Sequence, residues 1–441
     1  MGRKTAFKVL LKIEQDDAYS NIALNNAIKE RKLNHSDASL ASAIVYGVLE
    51  RKITLDYIIK QYSKIPLRKI ELKTKIILRM GILQLLFMDK IPESAAVNES
   101  VKLAKAVKLQ KSSGFINGIL RNITRADVKY KLPENDKIKF LSVKYSCPEE
   151  LVSLWINSYG EINCQKILEK LSGRPKIFAR VNTLKTDKKS LISELESNGV
   201  KAFEVDFLNN ALYLENTGSI EALKAYKEGK FHIQDASSQL CVEFLNPKPN
   251  DTMLDVCAAP GGKSFTAAQY MENTGKIFSC DMFEHKVRLI ASGAKRLGIG
   301  CISATLRDAL NDEVSLPVAD KILCDVPCSG LGILSRKPEI RYKEDLVSKE
   351  LSELQYEILC KSAKYLKKGG RLVYSTCTLN PKENNENASR FLKEHPDFYG
   401  LQLTLPTGVS RAYDENDYEI TLMPHSAGTD GFYFAVFGKR D

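Results

Sequence analysis

Residues 254–263, reading LDVCAAPGGK, constrain this chain more than any other stretch. A short apolar segment ends there in small residues, a proline and two glycines, and residues 264–270 then have helical composition. The run therefore predicts a strand, a glycine turn and a helix start. Because glycine lacks a Cβ atom, a ligand can approach the backbone, and free amides at a helix start attract a carboxylate or phosphate. The pattern favours a binding site for a nucleotide-like ligand.

Two other interpretations of this run are weaker. Gly262-Lys263-Ser264 matches the end of a P-loop, but a P-loop needs a glycine at position 257, where this chain has Cys257. A tight turn without a ligand would explain one glycine. It would leave Pro260, the second glycine and the lysine as coincidences.

The composition predicts a cytoplasmic protein of two or three domains. The chain has 441 residues, no apolar run of membrane-spanning length, and an N-terminus too charged for a signal peptide. We therefore expect no membrane partner. The ten cysteines form no C-x-x-C pair and the five histidines are scattered, so we expect no metal site.

The positive charge is concentrated at the front of the chain. Residues 1–150 carry 28 Lys and Arg against 16 Asp and Glu, an excess of 12, whereas the remainder carries 37 against 38. This asymmetry indicates a polyanion-binding module joined to a nearly neutral catalytic module. For any single lysine, solvation of a helix is the simpler explanation.

Residues 5–125 show apolar side chains at helical spacing, which predicts an all-α bundle, with Ser36 or Asp37 as one helix cap. Three motifs there, VYGVL at 45–49, IPESAAVNE at 91–99 and GFINGILR at 114–121, resemble the NusB family of RNA-binding helical domains. The resemblance implies RNA contact through a basic helical face.

The rest of the chain predicts two further folds. Residues 149–171 read as two helices, and strands and a helix between 176 and 215 form a small α+β subdomain, either a second RNA surface or a spacer. From residue 229 onward, alternating strands and helices predict a doubly wound, mainly parallel Rossmann-like sheet that ends in an antiparallel hairpin. We place the domains at 1–132, 133–228 (linker and α+β subdomain) and 229–441.

Acidic residues follow three strands of the predicted sheet. Asp281, Asp308 and Asp325 each stand at or after a strand, and ligands of such sheets bind at the carboxyl ends of the strands. One such residue is commonly a helix cap. Three of them beside a glycine turn favour a nucleoside pocket.

Two of the ten cysteines also follow strands. Cys328 lies in DVPCSG and Cys377 in YSTCT, near polar groups that could stabilise a thiolate, so these two are candidates for nucleophilic catalysis. Spacing does not decide which of them attacks.

LDVCAAPGGK, DVPCSG and YSTCT, in that order, resemble the motifs of RNA cytosine-C5 methyltransferases. Together with the NusB-like front, the ARVN run at 179–182 and the IQDASSQ run at 233–239, they make the whole chain similar to the Sun/Fmu (RsmB) family. The resemblance implies an S-adenosylmethionine-dependent enzyme that acts on 16S ribosomal RNA, either free or in a small-subunit assembly intermediate. We expect the protein to be a monomer. A transfer RNA substrate is one alternative. A noncatalytic RNA-binding or antitermination factor with a vestigial methyltransferase fold is another.

The family resemblance also implies roles for individual residues. Cys377 is expected to attack C6 of cytosine and Cys328 to assist product release, while Asp325 is placed to hold the base and stabilise the adduct. The residues expected to hold the cofactor are Cys257, Ala258, Ala259, Pro260, Gly261, Gly262, Lys263, Asp281, Asp308 and Asp325.

Residues 332–343 carry Arg336, Lys337 and Arg341 and could contact RNA phosphates at the lip of the pocket. An ordinary solvated crossover loop explains the same residues equally well. Arg180, in the ARVN run, is a further candidate for RNA contact.

Overall fold

The computed structural model describes residues 1–311, 316–426 and 428–441, which form two compact units. Unit 1 comprises residues 1–174 and 334–344, and unit 2 comprises residues 175–333 and 345–441. Across the described ranges, no helix combines the length and apolarity needed to cross a membrane.

Unit 1 is helical, as the apolar spacing predicts. Its helices are α1 (Gly2–Asp16), α2 (Ser20–Glu30), α3 (His35–Glu50), α4 (Lys52–Tyr62), α5 (Leu72–Leu86), α6 (Glu93–Ala106), α7 (Gln110–Arg125), α8 (Lys137–Tyr145) and α9 (Glu149–Glu169), with a 3-10 turn at Leu67–Lys69. Helix α5 is apolar around most of its circumference and is buried from Ile76 to Gln84, because a helix without a polar face belongs in the core.

Two local features of unit 1 refine the sequence prediction. Helix α9 is interrupted at Gly160, whose φ of 77° and ψ of 162° are not helical, so residues 149–169 contain two helical segments, as predicted. The cap of α3 is Asn34, whose side chain accepts from the Asp37 amide, and neither Ser36 nor Asp37 is the cap. The prediction placed this cap two or three residues too late.

Residues 334–344 belong to unit 1 although they lie far along the chain. The backbone forms a 3-10 helix over Pro338–Tyr342. The buried Glu339 accepts bonds from the backbone amide and Oγ of Ser20 at 3.0 and 2.8 Å, and Tyr342 donates to the carbonyl of Leu49 at 2.6 Å. This segment is therefore packed against the helices of unit 1, and it is not a solvated crossover loop.

Unit 2 begins with an antiparallel sheet of order β2-β3-β1-β4. The strands are β1 (Ile177–Val181), β2 (Lys201–Val205), β3 (Leu208–Glu215) and β4 (Phe231–Ile233), with helices α10 (Lys188–Ser197) and α11 (Lys224–Lys227) and a 3-10 turn at Ile220–Ala222. Helix α12 (Ala236–Leu245) follows, and Asp235 caps it by accepting from the Ser237 amide.

Among the described residues, a second sheet contains eight strands. Its elements in chain order are β5 (Thr252–Asp255), α13 (Gly262–Tyr270), β6 (Lys276–Asp281), α14 (Glu284–Leu297), β7 (Ile302–Leu306), β8 (Ala319–Asp325), α15 (Lys349–Ala363), β9 (Leu366–Thr376), α16 (Asn385–Glu394), β10 (Phe398–Gly400), β11 (Glu419–Leu422) and β12 (Phe432–Lys439).

The order of the larger sheet is β10-β12-β9-β8-β5-β6-β7, and β11 pairs with β12. Strands β5 to β9 are parallel, whereas β12 is antiparallel to β9, β10 and β11. These pairings confirm the predicted Rossmann-like sheet and its antiparallel end. Successive strands run outward from β5 through β6 to β7, and β8 then returns to the other side of β5. The switch point, where such sheets bind ligands, lies between β5 and β8.

One boundary in this sheet differs from the prediction. We expected a helix from about 345 to 366 and a strand only from 371, but α15 ends at Ala363 and β9 already begins at Leu366. Gly369 has a φ of 69°, and the pairing of β9 with β8 changes register near it. The double glycine thus forms an irregularity within a strand, because glycine tolerates the positive φ that a bulge needs.

Candidate active site

The turn after β5 is shaped by glycine. Gly261 has a φ of 107°, and a Cβ atom there would lie 2.4 Å from Cζ of the buried Phe265. The Gly261 amide donates to the carbonyl of Ala258 at 2.7 Å, and α13 starts at the next residue. A side chain at position 261 would clash with Phe265, so the compact turn depends on glycine.

A pocket lies at the switch point between β5 and β8. Its lining includes Asp255 at the end of β5, Asp325 at the end of β8, and residues 233–235 before α12. The lining also includes residues of the glycine turn, namely Ala258, Ala259, Pro260, Gly262 and Lys263. Most of the turn residues predicted to hold a cofactor therefore surround one pocket.

Asp255 is a site residue that the sequence did not single out. Its side chain is 1% exposed, Oδ2 accepts from Ser264 Oγ at 2.6 Å, and Oδ1 has no hydrogen-bond partner among the described residues. Burial raises the pKa of Asp255 to about 7, although the bond from Ser264 opposes this shift. The unpaired oxygen is a ready acceptor for a donor group of a bound ligand.

Lys263 and Asp325 meet across the switch point. The Lys263 ammonium lies 2.7 Å from Asp325 Oδ2, and Ser375 Oγ donates to Asp325 Oδ1 at 2.8 Å. Burial by itself would lower the pKa of Lys263, but the Asp325 carboxylate, together with Cys241 and Asp255, outweighs it and the pKa is raised. Lys263 is thus held as a cation on the pocket wall.

The remaining predicted cofactor residues lie elsewhere around these strand ends. Asp281 is buried at the end of β6, and its Oδ1 accepts from the Phe283 amide at 3.1 Å. Asp308 is exposed after β7, where its Oδ1 accepts from the Leu310 amide at 2.9 Å. Cys257 is half-buried, and burial raises the pKa of its thiol well above the usual value.

The two candidate cysteines are adjacent. Their Sγ atoms are 3.1 Å apart, a hydrogen-bonding distance well beyond that of a disulfide, and the Cys377 amide donates to Cys328 Sγ at 3.3 Å. Cys328 follows the pocket residue Asp325 by three positions, and Cys377 follows its partner Ser375 by two. The structure therefore brings both thiols to the region where β8 and β9 end.

The surroundings of Cys328 favour its protonated form. The bond with Cys377 and then burial raise the pKa of the Cys328 thiol well above its usual value, and the nearby Glu383 acts in the same direction. We expected polar groups that could stabilise a thiolate at both cysteines. The Cys377 amide, which donates to Cys328 Sγ, agrees with that expectation, whereas the second sulfur, burial and the nearby carboxylates oppose it.

Two arginines assigned to RNA contact are structural. Arg180 is 1% exposed, and its Nε donates to Gln269 Oε1 at 3.0 Å. Arg341 has no exposed surface and donates to the carbonyls of Ser146 at 3.1 Å and Leu334 at 3.2 Å. Neither guanidinium can reach a phosphate, so both assignments are corrected.

The other two basic residues of that segment are partly accessible. Arg336 and Lys337 are half-buried, and the Lys337 ammonium lies 5.0 Å from the centre of the Tyr19 ring. Their contact with RNA stays a prediction.

Sequence reasoning also missed the residues that hold the cysteine loops. Glu383 and Asn384 are each 1% exposed and bond to residues next to Cys328 and Cys377. Their only signal in the sequence is a polar run, NPKENNEN, that follows the second cysteine motif. A polar run of this kind is typical of an exposed loop, so it gave no reason to expect burial.

Most of the chain matches known protein families. The family model described as 16S rRNA methyltransferase RsmB/F matches residues 242–438, the NusB family model matches 2–125, and the ferredoxin-like domain of RsmF/B-like methyltransferases matches 147–221.

The chain is also similar to whole proteins. It is 38% identical to the probable ribosomal RNA small subunit methyltransferase B of Bacillus subtilis (strain 168), over 99% of this chain and 98% of that protein. It is 35% identical to the protein of the same name from Synechocystis sp. (strain ATCC 27184 / PCC 6803 / Kazusa), over 99% of both chains. The crystal structure of PH0851 superimposes with a TM-score of 0.83 at 26% identity, covering 100% of this chain and 99% of that one.

Proposed function

The chain belongs to the family of ribosomal RNA small subunit methyltransferases B, and we propose on this premise that it methylates C5 of a cytosine in 16S ribosomal RNA through a covalent cysteine adduct. It is an S-adenosylmethionine-dependent ribosomal RNA methyltransferase. The observation that carries the finer proposal is the pair of thiols, 3.1 Å apart, that follows the ends of β8 and β9.

The pocket residues fit S-adenosylmethionine, which supplies an electrophilic methyl group when bound. The unpaired Oδ1 of Asp255 is an acceptor suited to the ammonium of the methionine part. The turn at 257–263 places backbone near the same part, and the Asp281 carboxylate suits ribose hydroxyls. We assign the adenine side to Asp308, which is exposed after β7.

The chemistry explains why a cysteine is needed. C5 of cytosine is a weak nucleophile, and addition of the Cys377 thiolate to C6 forms an S–C6 bond that moves the electron pair of the C5–C6 double bond onto C5. C5 would then take the methyl group, and the donor sulfur would keep the electron pair of the bond that breaks. Covalent catalysis of this kind divides one difficult step into easier ones.

Release reverses the addition. Loss of the C5 proton to the second cysteine returns an electron pair to the ring, the C5–C6 double bond re-forms, and the Cys377 sulfur leaves C6 with its electrons. The geometry supports Cys328 as the acceptor, because its Sγ lies 3.1 Å from Cys377 Sγ and so close to the base that Cys377 would carry. Cys328 accepts the C5 proton as a thiolate, so its own proton must first pass to solvent.

Asp325 is the group that we assign to the cytosine itself. Its side chain is 29% exposed, so a base in the pocket can reach the carboxylate, which would accept a bond from the exocyclic amine. Lys263, held 2.7 Å away, can donate to an acceptor on the ring edge. These contacts would stabilise the charge that develops in the adduct.

The family matches also support the proposed domain organisation. We propose a NusB-like RNA-binding domain at 1–132, a linker and small subdomain at 133–228 and a catalytic domain at 229–441. The three family models match within or close to these limits.

Trapping on 16S RNA that contains 5-fluorocytidine tests the mechanism, because fluorine cannot leave C5 as a proton does. The wild-type protein is expected to form a stable covalent adduct that is seen as a band shift in denaturing gels. Cys377→Ala should form none, whereas Cys328→Ala should retain an adduct even with ordinary RNA. The opposite pattern would exchange the two roles, and no wild-type adduct would refute the mechanism.

Bisulfite sequencing of RNA from cells that lack the protein tests the substrate. One 5-methylcytosine should disappear from 16S ribosomal RNA and return when the wild-type gene is restored, but not with Cys377→Ala. Loss of a mark in transfer RNA alone would contradict the proposed substrate.

A further inference from the structure

Glu383 forms a buried junction behind the loop that contains Cys328. Its Oε2 accepts from the amide of Ser329 at 2.9 Å and from Nε2 of Gln355 at 2.8 Å, and its Oε1 accepts from the hydroxyl of Ser329 and from Nδ2 of Asn380. The same Gln355 nitrogen donates to the carbonyl of Pro327 at 2.8 Å. Glu383 therefore holds Ser329 directly and Pro327 through Gln355. One carboxylate thus fixes the residues on both sides of Cys328.

Asn384 makes the equivalent contacts around Cys377. Thr376 Oγ1 donates to Asn384 Oδ1 at 2.6 Å, and Asn384 Nδ2 donates to the carbonyl of Thr378 at 3.0 Å. Asn384 occupies the N-cap position of α16, yet its side chain makes no cap hydrogen bond to that helix. An asparagine at this position normally stabilises its own helix. Here its side chain instead bonds to the residues on both sides of Cys377.

The two loops are also joined to each other. Ser329 Oγ and Thr378 Oγ1, each next to a cysteine, are 2.6 Å apart, and the Gly332 amide donates to the Cys377 carbonyl at 3.0 Å. A carboxylate buried to 1% exposure is costly unless its oxygens are paired, and Glu383 has four donors. Such a satisfied network has one preferred arrangement, which fixes the backbone on either side of each thiol.

We propose that Glu383 and Asn384 are positioning residues, Glu383 for Cys328 and Asn384 for Cys377, which together hold the two sulfurs at the separation that the reaction requires. The proposal rests on the proposed function, since it assigns one residue to the release step and the other to the attack step. Neither side chain bonds to a sulfur, so both act through the neighbouring backbone.

The test compares Glu383→Gln with Asn384→Ala in the full-length protein. In Glu383→Gln an NH2 group replaces one oxygen and faces donors, so the Cys328 loop should shift. We expect turnover to fall about 100-fold, as a displacement of about 1 Å can cause, and the KM for RNA to fall with it because the accumulating adduct keeps the RNA bound. The covalent adduct should accumulate on ordinary RNA, as expected for Cys328→Ala.

Asn384→Ala should give the opposite signature. Adduct formation on 5-fluorocytidine RNA should slow by about 100-fold, and no adduct should accumulate on ordinary RNA. A merely structural role would reduce both steps equally in both variants. Identical behaviour of the two variants, or wild-type rates in either, would overturn the proposal.

Glu419→Gln is the matched control. Glu419 is also 1% exposed and accepts from Tyr433 and Asn416, but it bonds to neither cysteine loop. We expect this variant to form and release the adduct at rates close to wild type. If it instead accumulated adduct as Glu383→Gln does, the loss of any buried carboxylate would suffice and the proposal would fail.

Ser329→Ala gives an independent test if Glu383→Gln does not fold. It removes only the hydroxyl that joins Glu383 to Thr378. Accumulated adduct on ordinary RNA would support the proposal, and wild-type turnover would overturn it. Absence of an adduct with the wild-type protein would instead refute the underlying mechanism, so the two failures are distinguishable.

Discussion

Single buried side chains control much of the behaviour of this molecule, and Asp255 is an example. Its pKa is raised to about 7 by burial, from an ordinary value of 3.8. The folded state therefore binds this proton more tightly than the unfolded state does. Stability from Asp255 is fully present below about pH 4 and is lost as the pH rises through 7.

We predict that Asp255→Asn becomes more stable relative to wild type as the pH rises from 5 to 8, by about 2 to 3 kcal/mol in the free energy of unfolding. The asparagine stays neutral and can still accept from Ser264. Denaturant unfolding without cofactor at the two pH values would measure the difference. Burial also raises the pKa of Glu415 to about 7, but both proteins contain Glu415, so its contribution to the pH dependence cancels in the comparison. An equal pH dependence in both would contradict the prediction.

Arg341 should matter for stability and not for RNA contact. Arg341→Met would remove the guanidinium that donates to the carbonyls of Ser146, Leu171 and Leu334, so the free energy of unfolding of unit 1 should fall by about 3 kcal/mol. Thermal unfolding measures this loss. Arg68→Met, at an exposed position of the same unit, is the control and should change little. RNA affinity below the unfolding temperature should be unchanged in Arg341→Met, and a selective loss of affinity would restore the original assignment.

The convergence of Lys263, Asp325, Cys328 and Cys377 could be predicted because the carboxyl ends of parallel strands share one edge of a sheet. The burial of Arg180 and Arg341 could not be predicted, because the sequence does not show whether an arginine side chain is exposed to water or buried against hydrogen-bond acceptors. Glu383 was missed for the same reason, since its donors come from positions as distant as Ser329.

Among the elements, the junction of β5 and α13 is the one most restricted by sequence. The Phe265 ring lies where side chains at both Gly261 and Gly293 would have to go. The glycine turn and the following helix were predictable from local composition. The early start of β9 at Leu366 was not, because a double glycine usually ends a strand and only pairing with β8 and β12 shows that it lies inside one.

Gly261→Ala should disrupt this junction. Both the positive φ and the 2.4 Å approach to Phe265 oppose a methyl group, so we expect a loss of about 1 to 3 kcal/mol in the free energy of unfolding, with weaker binding of S-adenosylmethionine. Chemical denaturation and titration calorimetry measure the two effects. Gly300→Ala, in unit 2 with open space around its Cβ position, should alter neither. Unchanged cofactor affinity in Gly261→Ala would show that the turn does not shape the pocket.

For the whole molecule, the compact units do not coincide with continuous stretches of sequence. Residues 334–344 are inserted in the catalytic half of the chain, between β8 and α15, yet they complete unit 1. Glu339 accepts a hydrogen bond from Ser20, which lies 319 positions earlier in the chain. A helical front cut at residue 174 would therefore lack part of its own packing.

We predict that a fragment of residues 1–174 unfolds at a lower temperature than unit 1 does in the full chain. Adding a synthetic peptide of residues 334–344 in excess should raise the midpoint, because a ligand that binds only the folded state stabilises it. Circular dichroism melting measures the shift. A peptide with Glu339→Gln and Arg341→Met should have a smaller effect, and equal effects of both peptides would contradict the packing described.

The sequence by itself determined the order of the folds, the glycine turn, and the strands whose ends carry the acidic residues and cysteines. These features depend on local periodicity and on the topology of parallel sheets, so one amino-acid sequence is enough to predict them. The tertiary structure alone decided which charged side chains are buried, where residues 334–344 pack, and that two thiols 49 positions apart lie at 3.1 Å. Those outcomes depend on contacts between residues far apart in the chain, which no local pattern records.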